Sequence, residues 1–80
     1  MHPIEQLLAN NNITTTDIES NTRLKEGSLQ KLIEKDIRTA DISLRVLSQM
    51  AIFLNNGADI IAKQLSDIEV ANDLAFLIED

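Results

Sequence analysis

The chain has no cysteine, tryptophan or tyrosine, and its 80 residues include only two phenylalanines, two glycines, one proline and one histidine. Without cysteine there is no disulfide, thiolate metal site or thiol nucleophile, and such a composition predicts a cytoplasmic protein. Few aromatics mean that the core must be aliphatic, drawn from the 44% of residues that are apolar. The glycines, Gly27 and Gly57, are isolated, so no glycine-rich phosphate loop exists. His2 has no spaced His or Cys companion and is expected to be a frayed surface residue, with no metal bound. Glu79 and Asp80 are expected to be a solvated chain end rather than an acid/base pair. No nucleophile, base or cofactor loop remains on which to build a reaction, so the expectation is a non-enzyme without a cofactor. The N-terminus lacks a secretory pattern, and no apolar run approaches the roughly 20 residues that span a bilayer.

Positive charge is also scarce, and it is segregated. Seven bases stand against thirteen acids, a net charge of -6. Residues 1–22 hold Glu5, Asp17 and Glu19 with no base, and residues 46–80 hold Lys63 against Asp59, Asp67, Glu69, Asp73, Glu79 and Asp80. Between them lie Arg23, Lys25, Lys31, Lys35, Arg38 and Arg45 against only Glu26, Glu34, Asp36 and Asp41. An acidic chain with one basic middle segment can still offer a local patch to a polyanion.

A chain this short buries roughly 60% of its unfolded surface and supports one core of modest stability. Nothing in it reads as a linker or repeat, so residues 1–80 are expected to form one all-α domain of five to six helices. Pro3 suits a first helical turn, and Ile4, Leu7 and Leu8 place a helix over about 3–11. A second, over about 14–22, starts from Thr14 with Asp17 or from Thr16 with Glu19, the latter pair matching the capping-box pattern. Leu29, Leu32 and Ile33 share one face of a third helix over about 25–35, with Ser28, Lys31 and Lys35 opposite. Asp41 is the expected cap of a long helix over about 41–55, and Gly57 its left-handed stop. Residues 58–65 form a short fifth helix, after which Ser66 and Glu69 make a capping box, with Leu65 and Val70 as a hydrophobic staple. A sixth helix is expected over 67–79. It carries Ile68, Val70, Ala71, Leu74, Ala75, Phe76, Leu77 and Ile78, a band wider than one face of a small core can cover, so the helix either closes the chain's own core or offers a homodimer or protein-partner surface through Ile68, Val70, Leu74, Leu77 and Ile78.

The segment Ile13-Thr-Thr-Thr-Asp-Ile18-Glu-Ser-Asn-Thr22-Arg-Leu24-Lys-Glu-Gly-Ser-Leu29-Gln-Lys-Leu32-Ile resembles the helix-turn-helix of the lambda-repressor-like (Cro/CI, XRE) family. Ile18, Leu24, Leu29 and Leu32 fall where that family locks its two helices together, Thr22 stands where a small hydroxyl residue precedes the turn, and the likeness extends over residues 4 to about 65. The resemblance implies a lambda-repressor-like fold whose third helix lies in the major groove of duplex DNA while the start of the second touches phosphate. Thr15 would then meet the backbone, Lys25, Glu26, Gly27, Ser28 and Lys31 would face the groove with Glu34 at its edge, and Lys35 and Arg38 would contact phosphates.

Three positions depart from the family pattern. Arg23 takes a turn position usually held by a left-handed glycine, which predicts strain of about 1 kcal/mol. Glu19 replaces a small residue between the helices and is expected either to open the pair or to meet a base such as Arg23. Lys25 takes the cap position of the third helix and cannot accept its free N–H groups. The implied function is a small prokaryotic or phage-type transcriptional regulator, expected as a homodimer. The alternative is an acidic protein-interaction module of antirepressor, antitoxin-like or immunity type on the same scaffold.

Overall fold

Local capping fixes the starts of three helices, α1, α2 and α4, in the computed structural model, which describes residues 1–78. Helix α1 is Pro3–Asn10, α2 Thr15–Asn21, α3 Ser28–Glu34, α4 Leu44–Leu54 and α5 Ala58–Ile78, with a 3-10 turn at Thr39–Asp41 before α4. The fold is all-α, and no strand occurs among the described residues.

His2 is buried rather than frayed. Its Nδ1 accepts the Ile4 N–H at 3.1 Å while the Glu5 carboxylate accepts the His2 N–H at 3.2 Å, so the histidine is the N-cap of α1 in a reciprocal capping box. With Nδ1 accepting, Nε2 carries the proton and donates to the Ile37 carbonyl at 2.8 Å, tying the start of α1 to the segment after α3. For α2 the pair used is Thr14 and Asp17: Thr14 Oγ1 accepts the Asp17 N–H at 3.2 Å, and the Asp17 carboxylate accepts the Thr14 N–H at 2.9 Å. Glu19 is thereby left for another task.

Helices α1, α3 and α4 end alike. Asn12, Asp36 and Asn55 have φ of 57°, 51° and 56°, the left-handed conformation that short polar side chains tolerate best after glycine. In each case the next residue donates its N–H five residues back: Ile13 to Leu8, Ile37 to Leu32, Asn56 to Ala51. Ile13 and Ile37 also pack against the core, the apolar contact that accompanies such a stop. Asn55, not Gly57, therefore stops α4. At its other end the cap is Ser43, whose Oγ accepts the Val46 N–H at 3.3 Å, and Asp41 belongs to the preceding 3-10 turn.

The expected break between a fifth and a sixth helix does not occur. Residues 58–78 contain no glycine or proline, and Ile61, Leu65 and Ile68 follow one another on a single face against the core, so the helix continues. The acid of the expected capping box is engaged elsewhere: Glu69 accepts the Thr39 N–H at 2.8 Å.

Ile4, Leu7 and Leu8 of α1, Ile18 of α2, Leu29 of α3, Leu47, Met50 and Ala51 of α4, and Ile61 and Leu65 of α5 form the core, with Leu24 and Ile42 from the connections. Helix α5 packs on α4, α1 and the 3-10 turn, while α2 packs on α3 and α4. At 1.5 Å per residue α5 is about 31 Å long and outruns this core. The molecule accordingly measures 41 × 24 × 23 Å, and its radius of gyration of 12.4 Å exceeds the value of about 11.6 Å expected for its length.

Candidate nucleic-acid interface

The basic middle segment begins in the connection after α2, runs through α3 and the 3-10 turn, and ends at the start of α4. Thr22 turns the chain out of α2 by donating its hydroxyl to the Ile18 carbonyl at 2.7 Å and accepting the Leu24 N–H at 3.3 Å. Leu24 is thereby buried. Arg23 donates its N–H to Gln49 Oε1 at 3.0 Å and is not among the residues with positive φ, so the expected strain is absent. The left-handed residue of this connection is Gly27, at φ 82°.

Helix α3 starts at Ser28, three residues later than its spacing predicts. Gly27 is the N-cap and supplies no side-chain bond. Lys25 lies before the cap, where its carbonyl accepts the Ser28 N–H at 3.0 Å. The missing cap comes from α2. Glu19 Oε2 accepts the Leu29 N–H at 2.9 Å, placing a carboxylate at the positive end of the α3 dipole. Glu19 thus needs neither an opened helix pair nor Arg23, because a backbone donor satisfies it.

Leu29, Leu32 and Ile33 turn the apolar face of α3 inward, and Gln30, Lys31, Glu34 and Lys35 are exposed. Lys25 and Glu26 are exposed in the connection just before it. Lys25, Lys31 and Lys35 make no ion pair among the described residues. Gly27 and Thr15 are half-buried. Ser28 is half-buried as well, with its Oγ out of solvent contact and unpartnered, so its hydroxyl does not reach outward as expected. Gln30 was not a predicted site residue; it lines a shallow recess of about 280 Å³ with Thr15, Ile13 and Ile33. Its outward register opposite Leu29 and Leu32 was the available sequence signal.

Arg38 is engaged by α5. Its guanidinium donates to both carboxylate oxygens of Asp73, at 2.7 and 3.3 Å, and lies 3.5 Å from Glu69. The bond to Asp73, then the charges of Asp73 and Glu69, raise the Arg38 pKa, and the same bond holds the Asp73 carboxyl below its ordinary value. A phosphate contact from Arg38 would have to compete with these acids.

No family model matches the chain, and neither a curated protein nor a solved structure is significantly similar to it.

Proposed function

We propose that the chain binds duplex DNA through the α2–α3 pair, used as a helix-turn-helix, with α3 and the connection before it in the major groove, as a small transcriptional regulator of prokaryotic or phage type. The observation that carries the reading is the set of exposed lysines Lys25, Lys31 and Lys35, in no ion pair among the described residues of an acidic protein, on and just before a helix whose apolar face of Leu29, Leu32 and Ile33 packs against the core. Such lysines displace counterions from phosphates, while groove-facing side chains discriminate bases. Lys31 can donate to guanine O6 or N7 and Glu26 can accept from cytosine N4. Gln30 adds a side chain of the type that reads adenine N6 and N7. The interleaved Glu26 and Glu34 lower non-specific affinity through repulsion from phosphate, which favours a selective reader over a general DNA coat.

The test is a selection from random duplexes at low and then at higher salt, followed by anisotropy titrations of the recovered sequence. A preferred motif is expected, with Lys25→Ala and Lys31→Ala each weakening binding several-fold and lowering the salt slope by about 1. Unchanged affinity in both variants would remove α3 from the interface.

The acidic 46–80 segment and the exposed apolar end of α5 favour a second reading, a protein-interaction module on the same scaffold. Under it the selection returns no motif at either salt.

A further inference from the structure

Of the six cations between residues 23 and 45, Arg38 alone is paired with an acid among the described residues. Both of its partners come from α5. Its guanidinium donates to the two carboxylate oxygens of Asp73 at 2.7 and 3.3 Å and stands 3.5 Å from Glu69. Two parallel N–H···O bonds to paired oxygens are also how arginine grips a phosphate. Asp73 therefore fills the fork of donors that a phosphate of the duplex would need.

The two acids serve the fold differently. Glu69 has a side chain only 17% exposed and accepts the Thr39 N–H at 2.8 Å, so it ties α5 to the 3-10 turn without help from Arg38. Asp73 meets only Arg38 among the described residues, and their side chains are 52% and 55% exposed. An ion pair so exposed contributes little to stability. What Asp73 changes most is the availability of one guanidinium. Its position makes that availability matter: three peptide units separate Arg38 from Lys35, so their Cα atoms are at most about 11 Å apart whatever the path of the chain. Duplex DNA carries a negative charge for roughly every 1.7 Å of its axis, so a duplex seated against Lys35 brings phosphates into the neighbourhood of Arg38.

We infer that Asp73, backed by Glu69, is an autoinhibitory contact that withholds Arg38 from duplex phosphate, so that α5 tunes the affinity set by the lysines on and before α3. The inference rests on the DNA-binding reading above. It adds that the chain binds below its full electrostatic capacity, with Arg38 as a latent fourth phosphate contact beside Lys25, Lys31 and Lys35. Because both members of the pair are open to solvent, the restraint lowers affinity by a modest factor and does not abolish binding.

Anisotropy titrations of the full chain on a fluorescein-labelled duplex of mixed sequence, over a range of sodium chloride concentrations, test this. Asp73→Asn should tighten binding about two- to fivefold, the worth of an exposed ion pair, and steepen the salt slope by about 1. Asp59→Asn removes the same charge from the same helix, in no ion pair among the described residues, and should leave affinity and slope close to those of the parent. Arg38→Ala in the Asp73→Asn background should erase the gain, and Asp73→Glu, which keeps the carboxylate, should bind as the parent does. Circular dichroism should show unchanged helicity in each variant; if Asp73→Asn loosens the fold, Asp73→Gln takes its place. A gain equal in Asp73→Asn and Asp59→Asn, or one that survives Arg38→Ala, overturns the inference and assigns the effect to net charge. Parental affinity in Asp73→Asn, alongside weakened binding in Lys31→Ala, overturns it and leaves the DNA-binding reading intact. No binding by the parent, Asp73→Asn and Lys31→Ala alike removes that reading and the inference with it.

Discussion

Glu19 is half-buried and meets no cation among the described residues, a position that is costly for a carboxylate unless a donor replaces the lost water. The Leu29 N–H at 2.9 Å is that donor, and the bond also supplies the cap that Gly27 lacks. One residue thus joins α2 to α3 and stabilises the helix proposed to read DNA. Glu19→Ala should cost about 1–2 kcal/mol in urea unfolding, as loss of a cap does, and Glu19→Gln, which keeps the acceptor, should recover part of it. Equal losses in the two variants would mean that side-chain packing, not the cap, gives Glu19 its role. Asp73 supports a prediction of a different kind. The Arg38 hydrogen bond holds its carboxyl below the ordinary carboxylate pKa of about 4. A lowered folded-state value means that the pair contributes fully above that range and is lost as pH falls through the folded value. Hydrogen exchange across residues 70–78 should therefore accelerate in acid beyond its intrinsic pH dependence, and Asp73→Asn should remove the excess. Acid behaviour unchanged in Asp73→Asn would assign the loosening to other groups.

Helix α5 shows how a local signal yields to a distant one. Ser66 and Glu69 have the spacing of a capping box, yet Glu69 turns to Thr39, thirty residues away, and Ser66 remains an exposed residue inside a continuous helix. Ser66→Ala should leave stability unchanged or raise it by a few tenths of a kcal/mol, since alanine is the better helix former. Glu69→Ala should cost about 1–2 kcal/mol by unpairing the Thr39 N–H and weakening the hold on Arg38. Thermal melts distinguish the two, and a larger loss from Ser66→Ala would reinstate the break. The same contrast separates what was legible in the sequence from what was not. The α1 and α2 starts, the inward faces of α3 and α4, and the basic segment all depend on residues three or four apart, or on composition. His2 to Ile37, Glu19 to Leu29 and Arg38 to Asp73 join residues 35, 10 and 35 positions apart, a separation at which no periodicity survives. The late start of α3 follows in part from the same kind of contact, because Arg23 in the connection donates its N–H to Gln49, 26 positions away.

At the scale of the molecule, charge acts on stability and on the proposed function in opposite directions. Among the described residues three ion pairs, all with exposed cations, oppose the self-repulsion of a chain at -6, and exposed pairs contribute little. Salt screens the repulsion over the whole surface, with a Debye length of about 10 Å at 0.1 M, and the few pairs it weakens have less to lose. Melting temperature should therefore rise by a few degrees between 20 and 500 mM sodium chloride, roughly the effect of half to one kcal/mol in a domain of this size. Affinity for DNA should fall over the same range with a slope set by the exposed lysines, near three if Lys25, Lys31 and Lys35 each displace one counterion. The two responses belong to different parts of the chain and can be separated. Lys31→Ala should flatten the DNA slope and leave the rise in melting temperature intact, whereas Asp59→Asn, on the acidic α5 and in no ion pair among the described residues, should reduce that rise and leave the DNA slope unchanged. A melting temperature that falls with salt would mean that the Arg38 and Lys63 pairs outweigh the repulsion, and the acidic flanks would then be a source of stability.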